Sequence, residues 1–126
     1  MPNLTTTCRR YGGGMATEEM DTGPVTLINV FEIAPDNVES FLADWRERAE
    51  FMSKQSGFRS FRLHRALSPD SRFQLVNVAE WDSVDALRAA TSSEQFQTSV
   101  RNTMRNSGVT ATPGVYRVAV EVTEPT

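Results

Sequence analysis

The sequence predicts one α+β domain with its elements in the order βαββαβ. Three observations lead there: extended segments with apolar residues at every second position, intervening segments with apolar residues three and four apart, and a polar Ser68-Pro69-Asp70 junction between two extended segments. The chain has 126 residues, 39% hydrophobic and 23% charged, with a formal net charge of -3. At that length a single domain buries roughly two thirds of its unfolded surface, enough for a core without disulfides or a structural metal.

The first extended segment places Val25, Leu27, Phe31 and Ile33 on one face and Ile28 and Val30 on the other. Apolar residues on both faces put this strand at the centre of its sheet. Pro35-Asp36 stops it, and Asp36 with Glu39 three residues later makes the capping pattern of a helix start. Val38, Phe41, Leu42, Trp45, Ala49 and Met52 line one face of that helix, which Gly57 closes. A second strand is expected from Phe58 to about Ala66 and a third from Phe73 to Trp81, joined as an antiparallel hairpin through Ser68-Pro69-Asp70. Asp82-Ser83 caps a short helix to about Ala90, and Ser92 with Gln95 repeats the capping pattern before a longer helix whose apolar stripe is Phe96, Val100 and Met104. Asn106-Ser107-Gly108 ends that helix, and alternation from Val115 to Val122 marks the last strand. This is the ferredoxin-like pattern, a four-stranded antiparallel sheet with its helices on one face. The other face, rich in valine and isoleucine, would stand open to water, so a homodimer packed sheet against sheet, a dimeric α/β barrel, is expected.

Residues 1–23 show no apolar periodicity, only a threonine run, three glycines and Glu18-Glu19, and are expected to form a flexible arm ahead of a domain at 24–126. The single cysteine, Cys8, leaves no internal disulfide. No basic run exceeds Arg9-Arg10, which argues against nucleic acid as a partner. No apolar stretch approaches the ~18 residues of a membrane span, and the N-terminus lacks the apolar core of a secretion signal, so the cytoplasm is the expected location. Phosphate-binding glycine loops and GxSxG elbows are missing, and one histidine with one cysteine is too little for a zinc site, so no metal is expected.

What remains is a group of polar residues inside apolar segments. Phe73, Leu75, Asn77, Ala79 and Trp81 share one face of the third strand, so an amide stands among apolar side chains four residues from an indole. Asn29 interrupts the first strand in the same way. A buried amide is costly unless something hydrogen-bonds to it, whether a neighbouring strand, a helix end or a ligand. His64 shares its face with Ser60 and Arg62, either a solvated stripe or the wall of a polar pocket. Arg101 follows Val100 at the edge of a helix stripe, where its stem can cover core, and Trp45 is first a core anchor.

Together, Gly57-Phe58, His64, the run Leu75-Val76-Asn77-Val78-Ala79-Glu80-Trp81-Asp82-Ser83 and Arg101 resemble the antibiotic biosynthesis monooxygenase (ABM) family, and within it the members that oxidise anthrones. The resemblance implies oxidation of a polycyclic aromatic polyketide, of anthrone or hydroquinone type, to a quinone by O2 with no cofactor, whether flavin, haem or metal. It implies pocket roles for Asn77, Trp81, His64 and Arg101, and it sets Leu87 where those members carry a tyrosine, which removes a hydroxyl donor. Asn77 and the Trp81 N–H suit an enolate or peroxide anion, Arg101 a phenolate or peroxide, and His64 a general base. Between sheet and helices, Asn29, Phe31, Trp45, Phe73 and Leu87 are expected to line the substrate pocket. Haem-degrading relatives share the fold and an asparagine on the first strand, but the positions of their tryptophan and haem-ligating histidine are Ala90 and Val100 here. A polyketide cyclase or small-aromatic binding protein on the same fold is the alternative, and oxygen consumption separates it from an oxygenase.

Overall fold

In the computed structural model, which describes residues 23–125, the four strands of the described residues form one antiparallel sheet in the order β2-β3-β1-β4. β1 (Val25–Glu32) and β3 (Leu75–Trp81) are the central pair, and β2 (Phe58–Arg65) and β4 (Thr110–Tyr116) are the edges. α1 (Val38–Ser53) connects β1 to β2, while α2 (Val84–Thr91) and α3 (Glu94–Ser107) together connect β3 to β4. This is the ferredoxin-like α+β architecture that the patterning predicts, with β1 central as expected. The expected flexible arm lies outside the described residues, Gly23 apart.

Sheet register decides which side chains meet the helices. Leu27, Asn29 and Phe31 of β1 pair with Ala79, Asn77 and Leu75 of β3. Along β3, Leu75, Asn77, Ala79 and Trp81 are buried and alternate with half-buried Val76, Val78 and Glu80, as a strand with one helix-covered face must. The apolar core on that face falls into two clusters. One gathers Val25, Ala79, Trp81, Val84, Leu87 and Ala90, and the other gathers Phe31, Ile33, Val38, Phe41, Leu75 and Val109. Asn29 and Asn77 belong to neither and sit where the two divide.

Four local expectations are corrected. Asp36 and Glu39 form no cap: Pro35–Asn37 makes one 3-10 turn, Asn37 precedes α1 with no side-chain cap, and Glu39 instead pairs with Arg65 at 2.7 Å. Ser93 rather than Ser92 caps α3, accepting from the Phe96 N–H, because Ser92 is already taken as the last turn of α2. The third strand begins at Leu75, not Phe73, because buried Gln74 turns its amide onto the carbonyls of Ser68, Pro69 and Ser71 and organises the hairpin loop. The last strand runs 110–116 rather than 115–122. β4 pairs with nearly all of β1, from Glu32 with Thr110 to Thr26 with Tyr116, so the chain beyond Tyr116 runs past the end of that strand and Val118, Val120 and Val122 stay exposed. Pro113 lies within β4, where an edge strand tolerates a residue without an N–H.

Ser83 caps α2 as predicted, accepting from the Ala86 N–H, and Gly108 at φ +58 ends α3 in the left-handed conformation. Gly57 has φ +86, and a Cβ there would lie 2.4 Å from the Cβ of Ala86 on α2. Its carbonyl accepts from the Asp82 N–H at 2.8 Å, so the turn after α1 is locked to the start of α2. Gly57→Ala is therefore expected to destabilise the fold by about 1–3 kcal/mol through strain and overpacking, read as a lower urea midpoint at unchanged slope.

Candidate active site

A cavity of about 110 Å³ lies between the two core clusters. A single water needs only ~10–15 Å³, so this is a built space rather than a packing defect. Its floor is the helix-facing side of β1 and β3, with Leu27, Asn29, Phe31, Asn77, Ala79 and Trp81. Trp45, Arg48 and Met52 of α1 and Phe96, Val100 and Thr103 of α3 form much of its roof, and Phe58, Phe61 and Ala111 close the sides. The helix stripes read from the sequence supply the roof because one face of each helix is apolar and packs down on the sheet.

The polar features are few and concentrated. Asn29 and Asn77 stand directly opposite each other on the two central strands. Asn29 Oδ1, Asn77 Oδ1 and Trp45 Nε1 are buried, and none has a hydrogen-bond partner among the described residues. Each buried unmet group costs about 1–3 kcal/mol, and the three residues that carry them all line one cavity. Trp45 is held edge-on by Phe31 at 5.7 Å and by Phe61 at 6.0 Å and stacked on Phe41 at 5.8 Å, so packing sets the direction of its N–H. Trp81 is fully buried and meets Phe58 edge-on at 5.4 Å.

Arg48 brings positive charge to the wall. It is 9% exposed, lies 5.7 Å from the centre of the Trp45 ring, and donates from Nε to Ser99 Oγ (3.1 Å) and from Nη2 to the Ser99 carbonyl (3.3 Å) and Thr103 Oγ1 (2.5 Å). Burial pushes its guanidinium below the ordinary arginine range, and the charge of Asp44 offsets part of that shift. Among the described residues, no histidine, aspartate or glutamate lines the cavity.

The expected site residues divide sharply. Asn29, Phe31, Trp45, Asn77 and Trp81 all line the cavity. His64 does not: it is exposed on β2, its Nδ1 is 3.3 Å from the Val76 carbonyl, and it shares a shallow depression with Ser60, Arg62, Val78 and Glu80 on the opposite face of the sheet. Arg101 is exposed on α3 and reaches Thr98 Oγ1 at 3.3 Å, while its neighbour Val100 faces the cavity. Leu87 is buried in the cluster of Val25, Trp81 and Ala90 outside the cavity lining. Phe73 precedes β3 and lies under Arg72, whose guanidinium is 5.0 Å from its ring. Sequence reasoning missed Arg48 and Thr103. The signal was positional: Phe41, Trp45, Arg48 and Met52 recur on one helical face, so the arginine occupies a core position of α1.

A largely apolar cavity lined by a few polar residues, roofed by helices over a ferredoxin-like sheet, has the form of a small-molecule site. The chain belongs to the antibiotic biosynthesis monooxygenase family, whose model matches residues 24–102. Among solved structures, a protein of Shewanella loihica PV-4 is 31% identical, with a TM-score of 0.65 over 79% of this chain and 98% of that one. SnoaB, a cofactor-independent oxygenase from Streptomyces nogalater, is 27% identical, with a TM-score of 0.68 over 82% of this chain and 100% of that one. Rv0793 from Mycobacterium tuberculosis shares the fold at 20% identity and a TM-score of 0.64, over 79% and 99%. No curated protein matches the chain.

If Asn77 is kept for a ligand rather than for folding, Asn77→Leu loses an unmet polar atom and gains apolar contact. The ligand-free variant is expected to match or exceed the parent by about 1 kcal/mol in urea unfolding. A loss of more than ~2 kcal/mol would mean that the amide serves the fold.

Proposed function

We propose that this chain is a cofactor-independent monooxygenase that oxidises a polycyclic aromatic polyketide of anthrone or hydroquinone type to a quinone with O2. The observation that carries the reading is that Asn29, Asn77 and Trp45, each with a buried polar atom that has no partner among the described residues, all line one apolar cavity. Two carboxamides side by side and an indole complement a flat ring system that bears hydroxyl groups and a carbonyl, and the aromatic walls complement its faces. The likeness to SnoaB, a cofactor-independent oxygenase, supports the same chemistry.

An anthrone methylene is a carbon acid, and its enolate is electron-rich enough to reduce O2 directly. Loss of one proton to water gives the enolate. One electron then passes to O2, and recombination of the radical pair forms the C–O bond of a peroxide. Loss of the second C–H proton with cleavage of the O–O bond leaves the new carbonyl and releases the other oxygen as water. The carbon has lost four electrons and O2 has gained them. The protein supplies orientation, dryness and anion stabilisation. Rotation of either asparagine amide exchanges Oδ1 for Nδ2, so the pair can also donate to an oxygen that becomes anionic, alongside the Trp45 and Trp81 indoles. With no histidine or carboxylate in the cavity lining among the described residues, solvent is the proton acceptor, and His64 and Arg101 carry no step.

Homodimer formation belongs to the same reading. Ile28, Val30, Val76 and Val78 lie half-buried on the sheet face away from the helices, and a second sheet would cover them. Light scattering at micromolar concentration is expected to give twice the 14.1 kDa of the chain. A mass equal to one chain removes the dimer.

Metal-free protein with dithranol or emodin anthrone is expected to consume oxygen above the autoxidation background. Asn77→Ala should lower that rate by about 100-fold, and Trp81→Phe in the same direction. Uptake within about twofold of the parent in both variants would remove the site assignment. Ligand binding without any uptake would instead make the protein a cyclase or a binding protein.

A further inference from the structure

Among the described residues, buried Arg48 hydrogen-bonds to neutral groups alone. A guanidinium removed from water is ordinarily matched by a carboxylate within hydrogen-bond reach. Among the described residues no carboxylate forms an ion pair with Arg48. Asp44, one turn earlier on α1, acts on it through its charge without forming an ion pair, and its Oδ2 lies 3.5 Å from Thr103 Oγ1. The three hydrogen bonds to Ser99 and Thr103 use Nε and both protons of Nη2, and Nη1 has no acceptor among the described residues. Ser99 and Thr103 lie one turn apart on α3, and the Trp45 ring supports the guanidinium from α1, so it is held in place at the cavity wall before any ligand arrives.

We propose that Arg48 is the anion-binding residue of this site, and that the ring system it accepts carries an anionic oxygen substituent, a carboxylate or an ionised phenol, seated against the free edge of the guanidinium. The neutral hydroxyls and carbonyl of the ligand belong to Asn29, Asn77 and Trp45, and the charged substituent to Arg48. The inference rests on reading the cavity as the substrate site, and it adds a charge requirement to that reading. It also moves the site's fixed positive charge from exposed Arg101 on α3 to buried Arg48 on α1.

Binding to the full chain is measured by quenching of its two tryptophans, Trp45 and Trp81, both of which line the cavity. Two matched pairs of probes separate the anion sources: anthraquinone-2-carboxylate against its carboxamide, and 2-hydroxyanthraquinone against its methyl ether at a pH where the free phenol is ionised. At least one pair is expected to show a preference of about tenfold or more for the anion, the contribution of one charge-assisted hydrogen bond. Arg48→Gln is expected to abolish that preference, and Arg48→Lys to keep part of it. Each preference is a ratio within one protein, so a variant that is only partly folded still reports it, and the parent alone already tests the claim. Equal binding of both members of both pairs by the parent overturns the proposal, and so does a preference that survives Arg48→Gln. Oxygen uptake with dithranol is scored separately. Charge preference without uptake overturns the oxidation reading and leaves Arg48 standing, whereas uptake without charge preference overturns the role of Arg48 alone.

Discussion

The cross-strand pairing of Asn29 with Asn77 sets the interior of this protein. Two amides at the middle of the helix-facing side of a sheet cannot be absorbed into an apolar core without partners, and neither carboxamide oxygen has one among the described residues. The hydrophobic residues therefore condense on either side of them, around Trp81 and Ala79 at one end and around Phe31 and Leu75 at the other. The gap between the clusters is the cavity.

The rest of the scaffold keeps that gap in a definite shape. An aromatic chain from Phe41 through Phe31 and Trp45 to Phe61 anchors α1 on the sheet, and Phe58 against Trp81 does the same beneath α2. Arg48 ties α1 to α3 through Ser99 and Thr103, so the roof is joined across the cavity by a buried cation rather than by apolar packing alone. Donors and acceptors fixed in this way need no reorganisation when charge develops on a bound molecule, the condition under which electrostatic stabilisation is strongest. The chemistry ascribed to the site asks for little else, because an anthrone enolate supplies its own electrons.

Much of this was legible in the residues. Strand alternation and helix stripes located the first three strands and the α-helices, and the conspicuous amides at positions 29 and 77, together with Trp81, pointed to the helix-facing side of the sheet. The misreadings share a cause. Asp36, Ser92 and the valines at 118, 120 and 122 each carry a valid local signal, but their partners are chosen elsewhere: by the 3-10 turn before α1, by the end of α2 and by the length of β1. The resemblance implies pocket roles for His64 and Arg101, whereas His64 lies on the sheet face away from the helices and Arg101 on the exposed side of α3, because neighbouring positions of a strand or helix face different ways.

By itself, the sequence determined the fold class, the central place of β1 and the presence of costly amides on an apolar face, because periodicity and burial are written locally. Only the tertiary structure decided that Asn29 and Asn77 are neighbours, that Trp45 Nε1 joins them, and that Arg48 rather than Arg101 faces the cavity. Those facts depend on the register between strands 44 or more residues apart in sequence and on how two helices settle over them. No local pattern encodes such distances, and they are set when the whole core packs.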